Sequence, residues 1–107
     1  VVNDQIGSPT NAQNLAKAII EIHQHINNKK VEIYHYSNSG RCSWYEFAKN
    51  IFKIKNIDIN IIPIKSKDFH RLATRPKSSI LDNNKIQKQF NLKIINWKES
   101  LINYLNG

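Results

Sequence analysis

The sequence predicts an α/β domain in which a small sheet of short strands is covered by about four helices. Two observations carry this prediction. Four segments place apolar residues at helical spacing behind a capping residue, and short segments between them alternate apolar and polar side chains. With 107 residues, of which 40% are hydrophobic types, the chain has the size of one domain, residues 1–107.

The first two elements are predicted to be a strand end and a helix. Residues 1–4 have the pattern of a strand that runs into a polar loop. A helix is expected to begin at Thr10, because Thr10 and Gln13 have the spacing of a capping box. Apolar residues then recur at helical spacing as far as Ile26, and the polar run 27–30 is expected to end the helix.

The middle of the chain is predicted to contain two strands around a second helix. Alternation over residues 31–36 predicts the first strand, and the alternation of isoleucines over 57–64 predicts the second. Between them, Ser43 and Glu46 have the spacing of a capping box, which places a helix start at Ser43. Cys42 and Phe47 are spaced as a hydrophobic staple at that start. A loop is expected over 65–77.

Two more helices are predicted towards the carboxyl end. After a short extended piece at 79–81, Asp82 is the expected N-cap of a helix that ends near Asn91. Leu81 and Ile86 are placed as a staple around this start. Asn96, with Glu99 three residues later, caps the last helix.

Composition excludes several classes of protein. The three glycines, at positions 7, 40 and 107, are too widely spaced for a dinucleotide or P-loop motif, so a self-contained enzyme of either kind is excluded. One cysteine excludes an internal disulfide and a cysteine-cluster zinc site. No apolar run has the length of a membrane span, and we expect a cytoplasmic domain. The chain lacks methionine, and we expect it to be a piece of a larger protein.

The net charge of +8 leaves open a nucleic acid, an acidic surface or a phosphorylated small molecule as partner. Most of the cations are lysines on predicted polar faces or in loops, which favours a solvated surface. The arginines, at positions 41, 71 and 75, form no basic run. A nucleic-acid module therefore stays as an alternative without a recognisable motif.

Several residues with catalytic side chains fit an ordinary structural role better. Tyr45 and Lys49 match Y-x-x-x-K, but side chains four residues apart on a helix meet in any case. His23 and His25 lie on different helix faces without a carboxylate at ligand spacing, and Cys42 is expected to be a small packed hydrophobe. We therefore predict no catalytic residue and no metal ligand in this chain.

Three polar segments are the candidates for ligand binding. Residues 4–10 place polar groups directly before a helix start, where backbone donors suit an anionic or sugar ligand. Arg75, followed by Pro76, offers a planar guanidinium to a phosphate. The segment 39–44 puts Arg41 and Trp44 beside the second helix start.

Taken in order, these segments resemble one known family. The stretches V-N-D-Q-x-G-S-P-T from Val2, C-S-W-Y-E-F-A from Cys42, R-P-x-x-S-x-L-D from Arg75 and W-x-x-S-L from Trp97, with I-Y-H-Y-S from Ile33, are similar to the carboxyl-terminal part of dTDP-4-dehydrorhamnose reductases. These enzymes are extended short-chain dehydrogenases of Rossmann type. The resemblance spans essentially all 107 residues, although 69–74 lacks the proline-rich character that family members often show there.

The resemblance implies that this chain is the substrate-binding domain of such a reductase. An amino-terminal Rossmann domain would bind NADPH or NADH and carry the catalytic tyrosine and lysine, so this chain alone would bind no cofactor and be inactive. The full enzyme, with a homodimer possible, would reduce dTDP-4-dehydro-L-rhamnose to dTDP-L-rhamnose for polysaccharide synthesis. The implied substrate-binding residues are Gln5, Gly7, Ser8, Thr10 and Arg75, with Arg41 and Trp44 as weaker candidates.

Two alternatives share the fold. A related extended dehydrogenase could act on another sugar nucleotide, for example as an epimerase. A dehydrogenase-like subunit could instead be regulatory and non-catalytic, since this fold is reused in that way. Neither alternative involves a membrane or a nucleic acid.

Overall fold

The computed structural model describes residues 1–27 and 29–107. In this part of the chain a two-stranded antiparallel sheet, β1 (Ile6–Gly7) and β2 (Cys42–Ser43), is accompanied by four α-helices and one 3-10 helix. The helices are α1 (Ala12–His23), α2 (Trp44–Ile54), α3 (Asn84–Phe90) and α4 (Trp97–Asn106), and the 3-10 helix is Ser66–Asp68. The predicted α/β architecture with about four helices is confirmed.

The start of α1 differs from the prediction by two residues. Asn11 is the N-cap, and its side-chain oxygen accepts a hydrogen bond from the Gln13 backbone N–H at 2.8 Å. The capping box predicted at Thr10 is wrong, because the Thr10 hydroxyl donates to the Ser8 carbonyl at 2.9 Å instead. The helix ends at His23, and the predicted end at 27–30 includes residue 28, which lies outside the described residues.

Of the two strands, β1 forms in the predicted loop, and β2 forms at the predicted staple and cap of the second helix. Ile6 pairs with Ser43 and Gly7 with Cys42 in antiparallel register. Before this strand, Val2 forms an isolated parallel bridge with Ile64, so the predicted strand at residues 1–4 is represented by one bridge. A strand of two residues is too short to produce an alternation that can be recognised in a sequence.

Two predicted strands are absent from the described residues. Residues 31–36 form no ladder, and of residues 57–64 only Ile64 forms a bridge. A strand requires a partner for its backbone hydrogen bonds, and alternation alone does not supply one. Tyr34 and Tyr36 nevertheless pack against a core of Ala18, Ile86 and Leu92.

A second core joins β2, α2 and α4. Cys42, Trp97 and Leu101 are buried together, and Phe47 packs against them with its ring 6.0 Å from that of Trp97. The predicted staple between Cys42 and Phe47 is therefore confirmed. The Ser43 capping box is also confirmed, because Ser43 Oγ accepts from the Glu46 N–H at 3.1 Å and the Ser43 N–H donates to the Glu46 carboxylate at 3.0 Å.

The carboxyl-terminal helices begin close to the predicted positions. Asp82 accepts a hydrogen bond from the Asn84 N–H at 2.8 Å, although Asn83 occupies the N-cap position of α3. Ile86 is buried, whereas Leu81 remains exposed. Asn96 caps α4 as predicted and accepts from the Lys98 N–H at 2.9 Å. No helix of the described residues is long and apolar enough to cross a membrane.

Candidate functional site

A cavity of about 340 Å³ lies where β1, the turn after it, the start of α2 and the returning end of the long loop meet. Its lining combines polar residues with two aromatic side chains, Trp44 and Phe47. The lining residues are Gln5, Ile6, Gly7, Ser8, Pro9, Thr10, Cys42, Ser43, Trp44, Phe47, Arg75, Pro76 and Ser79. This places residues that are up to 74 positions apart in the sequence around one space.

Six of the seven candidate residues from the sequence line this cavity. Gln5, Gly7, Ser8 and Thr10 come from β1 and the turn, Trp44 comes from α2, and Arg75 comes from the loop, and all of these residues are among its lining. Arg41 lies one residue before β2, is exposed, and is not among the lining residues. The structure therefore brings together the three candidate segments, with Arg41 outside.

The turn at residues 8–10 is fixed by side-chain hydrogen bonds to backbone atoms. Ser8 Oγ donates to the Gly40 carbonyl at 2.6 Å, which ties the turn to the segment before β2. Thr10 Oγ1 donates to the Ser8 carbonyl and accepts from the Asn38 N–H at 3.3 Å. Because these hydroxyls are engaged, the wall of the cavity is held in one position before a ligand arrives.

Arg75 gives the cavity its charge. It is the only charged side chain among the lining residues, and it forms no ion pair or hydrogen bond with the described part of the chain. A guanidinium with free donors suits a planar, bidentate anion such as a phosphate. The electrostatics of the cavity therefore favour a ligand that carries negative charge.

Trp44 and Phe47 supply the aromatic side of the cavity. Their rings meet edge to face with centroids 6.5 Å apart, and Trp44 remains 50% exposed. The exposed face of an indole packs well against the apolar face of a sugar or against a nucleobase. A ligand with both an anionic group and a ring therefore fits the lining.

Gln5 is held by a neighbour from the start of the long loop. Its Nε2 donates to Ser66 Oγ at 3.1 Å, and Ser66 Oγ in turn donates to the Asp4 carboxylate at 2.6 Å. The Ser66 backbone N–H also donates to Asp4. The Ser66 hydroxyl, followed by this N–H, lowers the pKa of Asp4 below its ordinary value.

Cys42 lines the cavity as a neutral thiol. Burial raises its pKa to about 11, and the nearby Glu46 carboxylate acts in the same direction. A thiol with this pKa is not a nucleophile at neutral pH, since the thiolate is the reactive form. The expectation of a small packed hydrophobe at this position is therefore confirmed.

The remaining catalytic candidates are dispersed. Lys49 Nζ lies 5.9 Å from the centre of the Tyr45 ring, which is the surface contact expected for a pair four residues apart. Among the described residues, no three His, Cys, Asp or Glu side chains form a group that could hold a metal ion.

Sequence reasoning missed part of the lining. The sequence predicts Ser43 only as a cap and Phe47 only as a staple residue, yet both also line the cavity. Ser79 lines the cavity because its N–H donates to the Ile6 carbonyl at 2.9 Å, which brings residues 78–79 beside β1. No local pattern could signal a contact over this separation.

The fold is a small α/β domain, and its cavity combines a cation with aromatic side chains. Comparison with known proteins makes this class more specific. The family described as RmlD substrate binding domain matches residues 1–107. The chain belongs to this family.

Relatives of known name agree with the family. The chain is 38% identical to the spore coat polysaccharide biosynthesis protein SpsK of Bacillus subtilis over 98% of its own length and 35% of that protein. It is 35% identical to a dTDP-4-dehydrorhamnose reductase of Aggregatibacter actinomycetemcomitans, over 96% of this chain and 38% of the reductase.

A solved structure extends the agreement to the fold. The dTDP-4-dehydrorhamnose reductase of Bacillus anthracis, in complex with NADP, superimposes with a TM-score of 0.85 at 39% identity, over 99% of this chain and 37% of that one. The chain thus spans a little over a third of the length of the relatives that it matches.

Proposed function

We propose that this chain is the substrate-binding domain of a dTDP-4-dehydrorhamnose reductase and that its cavity binds the dTDP-sugar. The single observation that carries the proposal is Arg75, the one charged group in a cavity otherwise lined by polar, aromatic and small apolar residues. A nucleotide sugar has a diphosphate beside rings, which is the combination that this lining accommodates. The relatives named as reductases support the choice of the dTDP-sugar.

The lining suggests a role for each candidate residue. Arg75 would fork onto the diphosphate, and Trp44 would pack against a ring of the ligand. Gln5, Ser8 and Thr10 would form the polar wall near the sugar, and Gly7 would let the ligand approach the backbone of β1. Arg41, outside the lining, would contribute long-range attraction only.

The reduction itself requires groups that this chain does not supply. NAD(P)H provides the hydride in such a reductase, and a dinucleotide site requires a glycine-rich turn at a helix start. The glycines at 7, 40 and 107 cannot form one, so the described residues do not fit this cofactor. We propose that the cofactor and the catalytic acid belong to a Rossmann domain of the same enzyme, and that this chain alone is inactive and the enzyme is cytoplasmic.

Exposed apolar residues support the presence of that second domain. Val31 and Ile33 are 94% and 71% exposed and alternate with Tyr34 and Tyr36, which pack on the core. Ile20 on α1 is 63% exposed, although it belongs to the predicted apolar stripe. Contiguous exposed apolar surface is typical of interaction sites, and we propose that these side chains form one that the Rossmann domain covers.

The role of Arg75 can be tested by substitution in the full-length reductase. Arg75→Ala should raise KM for the dTDP-sugar about 10- to 100-fold, the value of a charge-assisted bidentate contact, with a small effect on kcat. Arg71→Ala is the matched control, because Arg71 stacks on Phe69 at 4.8 Å and is not among the lining residues. An unchanged KM in Arg75→Ala would contradict the proposal that the diphosphate binds in this cavity.

A further inference from the structure

The long loop begins and ends beside the same short stretch of chain. At its start, the Asp4 carboxylate accepts hydrogen bonds from the Ser66 N–H, at 3.0 and 3.1 Å to its two oxygens, and from Ser66 Oγ. At its end, the Ile6 N–H donates to the Lys77 carbonyl at 2.8 Å, and the Ser79 N–H donates to the Ile6 carbonyl. Residues 67–76 therefore form a loop with two adjacent attachment points.

Between these attachment points the loop is held only by local contacts. The Asp68 and Phe69 N–H groups donate to the carbonyls of Lys65 and Ser66, and Arg71 stacks on Phe69. Residues 67–76 are all exposed. Beyond these bonds to residues 65 and 66, no hydrogen bond or ion pair joins residues 67–76 to the rest of the described chain, so the attachment points determine where this loop lies.

The two attachment points differ in kind. The one at residues 77–79 consists of backbone hydrogen bonds, and it is tightly packed, because a Cβ on Gly7 would lie 2.7 Å from Ser79 Oγ. At the other, backbone hydrogen bonds hold Ile64 to Val1 and Asn3, but Ser66 itself is bound by side chains. The Asp4 carboxylate accepts from both the N–H and the hydroxyl of Ser66, so Asp4 is the main side chain that fixes the residue from which the loop leaves.

Asp4 connects to the cavity without lining it. Ser66 Oγ accepts from Gln5 Nε2 while it donates to Asp4, so the same hydroxyl orients the Gln5 amide at the cavity. At the other end of the loop, Arg75 and Pro76 line the cavity directly. Substitution of Asp4 would therefore be expected to affect both the orientation of Gln5 and the position of Arg75.

We propose that Asp4 is a positioning residue that holds Ser66 and, through it, the loop 67–76, so that Arg75 and Gln5 are placed for the anionic ligand. The ligand half of this inference rests on the proposed function, whereas the attachment of the loop does not. Fixing a loop before binding reduces the entropy that binding must otherwise offset. Loss of the Asp4 carboxylate should therefore weaken binding without removing any group that touches the ligand.

The attachment can be tested by limited trypsin digestion of the full-length protein, since Lys67 and Arg71 are exposed cleavage sites in the loop. Asp4→Asn should accelerate cleavage at these sites roughly 5-fold or more, because hydrogen bonds to a charged acceptor are lost. Asp58→Asn is the matched control. It makes the same change away from both cleavage sites, at an exposed carboxylate with no hydrogen bond or ion pair to the described residues. Equal cleavage rates in Asp4→Asn, Asp58→Asn and the unmodified protein would overturn the attachment.

The effect on the site can be tested by calorimetric titration with thymidine diphosphate. Asp4→Asn should raise Kd about 3- to 10-fold, and Arg75→Ala should raise it further. If Asp4 acts through Arg75, the double variant should bind no more weakly than Arg75→Ala alone. Additive losses, or an unchanged Kd in Asp4→Asn, would overturn the positioning of Arg75.

A binding measurement on the unmodified protein and a second variant separate the two halves of the proposal. Absence of thymidine diphosphate binding by the unmodified protein would contradict the proposed function and the ligand half of this inference, and the trypsin comparison would still decide the attachment. Where Asp4→Asn does not fold, Ser66→Ala removes the hydroxyl and retains the carboxylate and the backbone hydrogen bond. It should change cleavage and Kd in the same direction by a smaller factor, and no change would overturn the proposal.

Discussion

Asn38 has a role that its position in a polar turn does not reveal. Its side chain is fully buried, and every polar atom of that side chain has a partner. Nδ2 donates to Asn14 Oδ1 and to the Ile95 carbonyl, and Oδ1 accepts from the Asn11 N–H at 2.8 Å. One amide thereby joins the start of α1 to the chain that leads into α4, behind the cavity wall.

Replacement of Asn38 should be costly. Asn38→Ala would remove three hydrogen bonds and leave the part-buried Asn11 N–H without its partner, while the Ile95 carbonyl keeps the Ser39 N–H. We expect the free energy of unfolding to fall by roughly 2–3 kcal/mol. Urea denaturation of the full-length protein followed by circular dichroism measures this. Asn60→Ala, at an exposed position, should be neutral, and equal losses in the two variants would contradict the assignment.

The Asp4 carboxylate should make stability depend on pH in the acid range. Ser66 lowers the pKa of Asp4 below the ordinary 3.8, and Lys65 contributes in the same direction. A carboxyl whose pKa is depressed by folding stabilises the folded state above its unfolded pKa, and this contribution is lost as pH falls through the folded pKa. Asp4→Asn should therefore lower the urea denaturation midpoint at pH 6, and its difference from the unmodified protein should disappear as the pH falls through the lowered pKa of Asp4. A constant difference at all pH values would exclude this origin.

At the scale of elements, local signals predicted helix starts and failed for strands. The Ser43 box and the Asn96 cap depend on residues three positions apart or fewer, and both are observed. The spacing of Thr10 and Gln13 predicts a cap at Thr10 rather than at Asn11, because the sequence cannot show that the Thr10 hydroxyl bonds to Ser8 and Asn38. The strand expected at 31–36 depends on a partner that the described residues do not contain.

The turn at Gly40 requires glycine for two reasons. Its φ is +80°, and a Cβ there would lie 2.5 Å from Asn96 Nδ2 and 3.0 Å from Trp97 Cδ1. Gly40→Ala should lower the free energy of unfolding by about 2 kcal/mol, because it strains the backbone and displaces the cap of α4. Asn91→Gly is the control, since Asn91 has φ 50° and glycine tolerates that region. Thermal denaturation of both variants measures this. An unchanged stability in Gly40→Ala would contradict the predicted steric overlap with Asn96.

At the scale of the whole molecule, six of the seven candidate residues gathered at one cavity because polar segments at element ends converge in α/β folds. The lining contributed by Ser43, Phe47 and Ser79 could not be predicted, since it depends on how α2 and the loop end pack against β1. The resemblance to a family identifies the segments that carry the site residues, whereas tertiary contacts determine which side chains line the cavity.

The exposed apolar residues should make the separate 107-residue chain self-associate. Val31→Lys adds a charge at a position that is 94% exposed, and it should reduce association in sedimentation velocity without a change in far-ultraviolet circular dichroism. Asn60→Lys adds the same charge at a polar exposed position and should have a smaller effect. Equal effects would mean that net charge, and not the apolar surface, controls association.

The state of Cys42 has a practical consequence for spectroscopy. The chain contains one cysteine, and it is buried with a thiol pKa of about 11, so maleimide dyes and spin labels should leave it unmodified at neutral pH. A second thiol introduced by Leu72→Cys, at the exposed tip of the loop, would then be labelled selectively. Fluorescence anisotropy of a dye at position 72 would then follow the motion of the loop without replacement of Cys42.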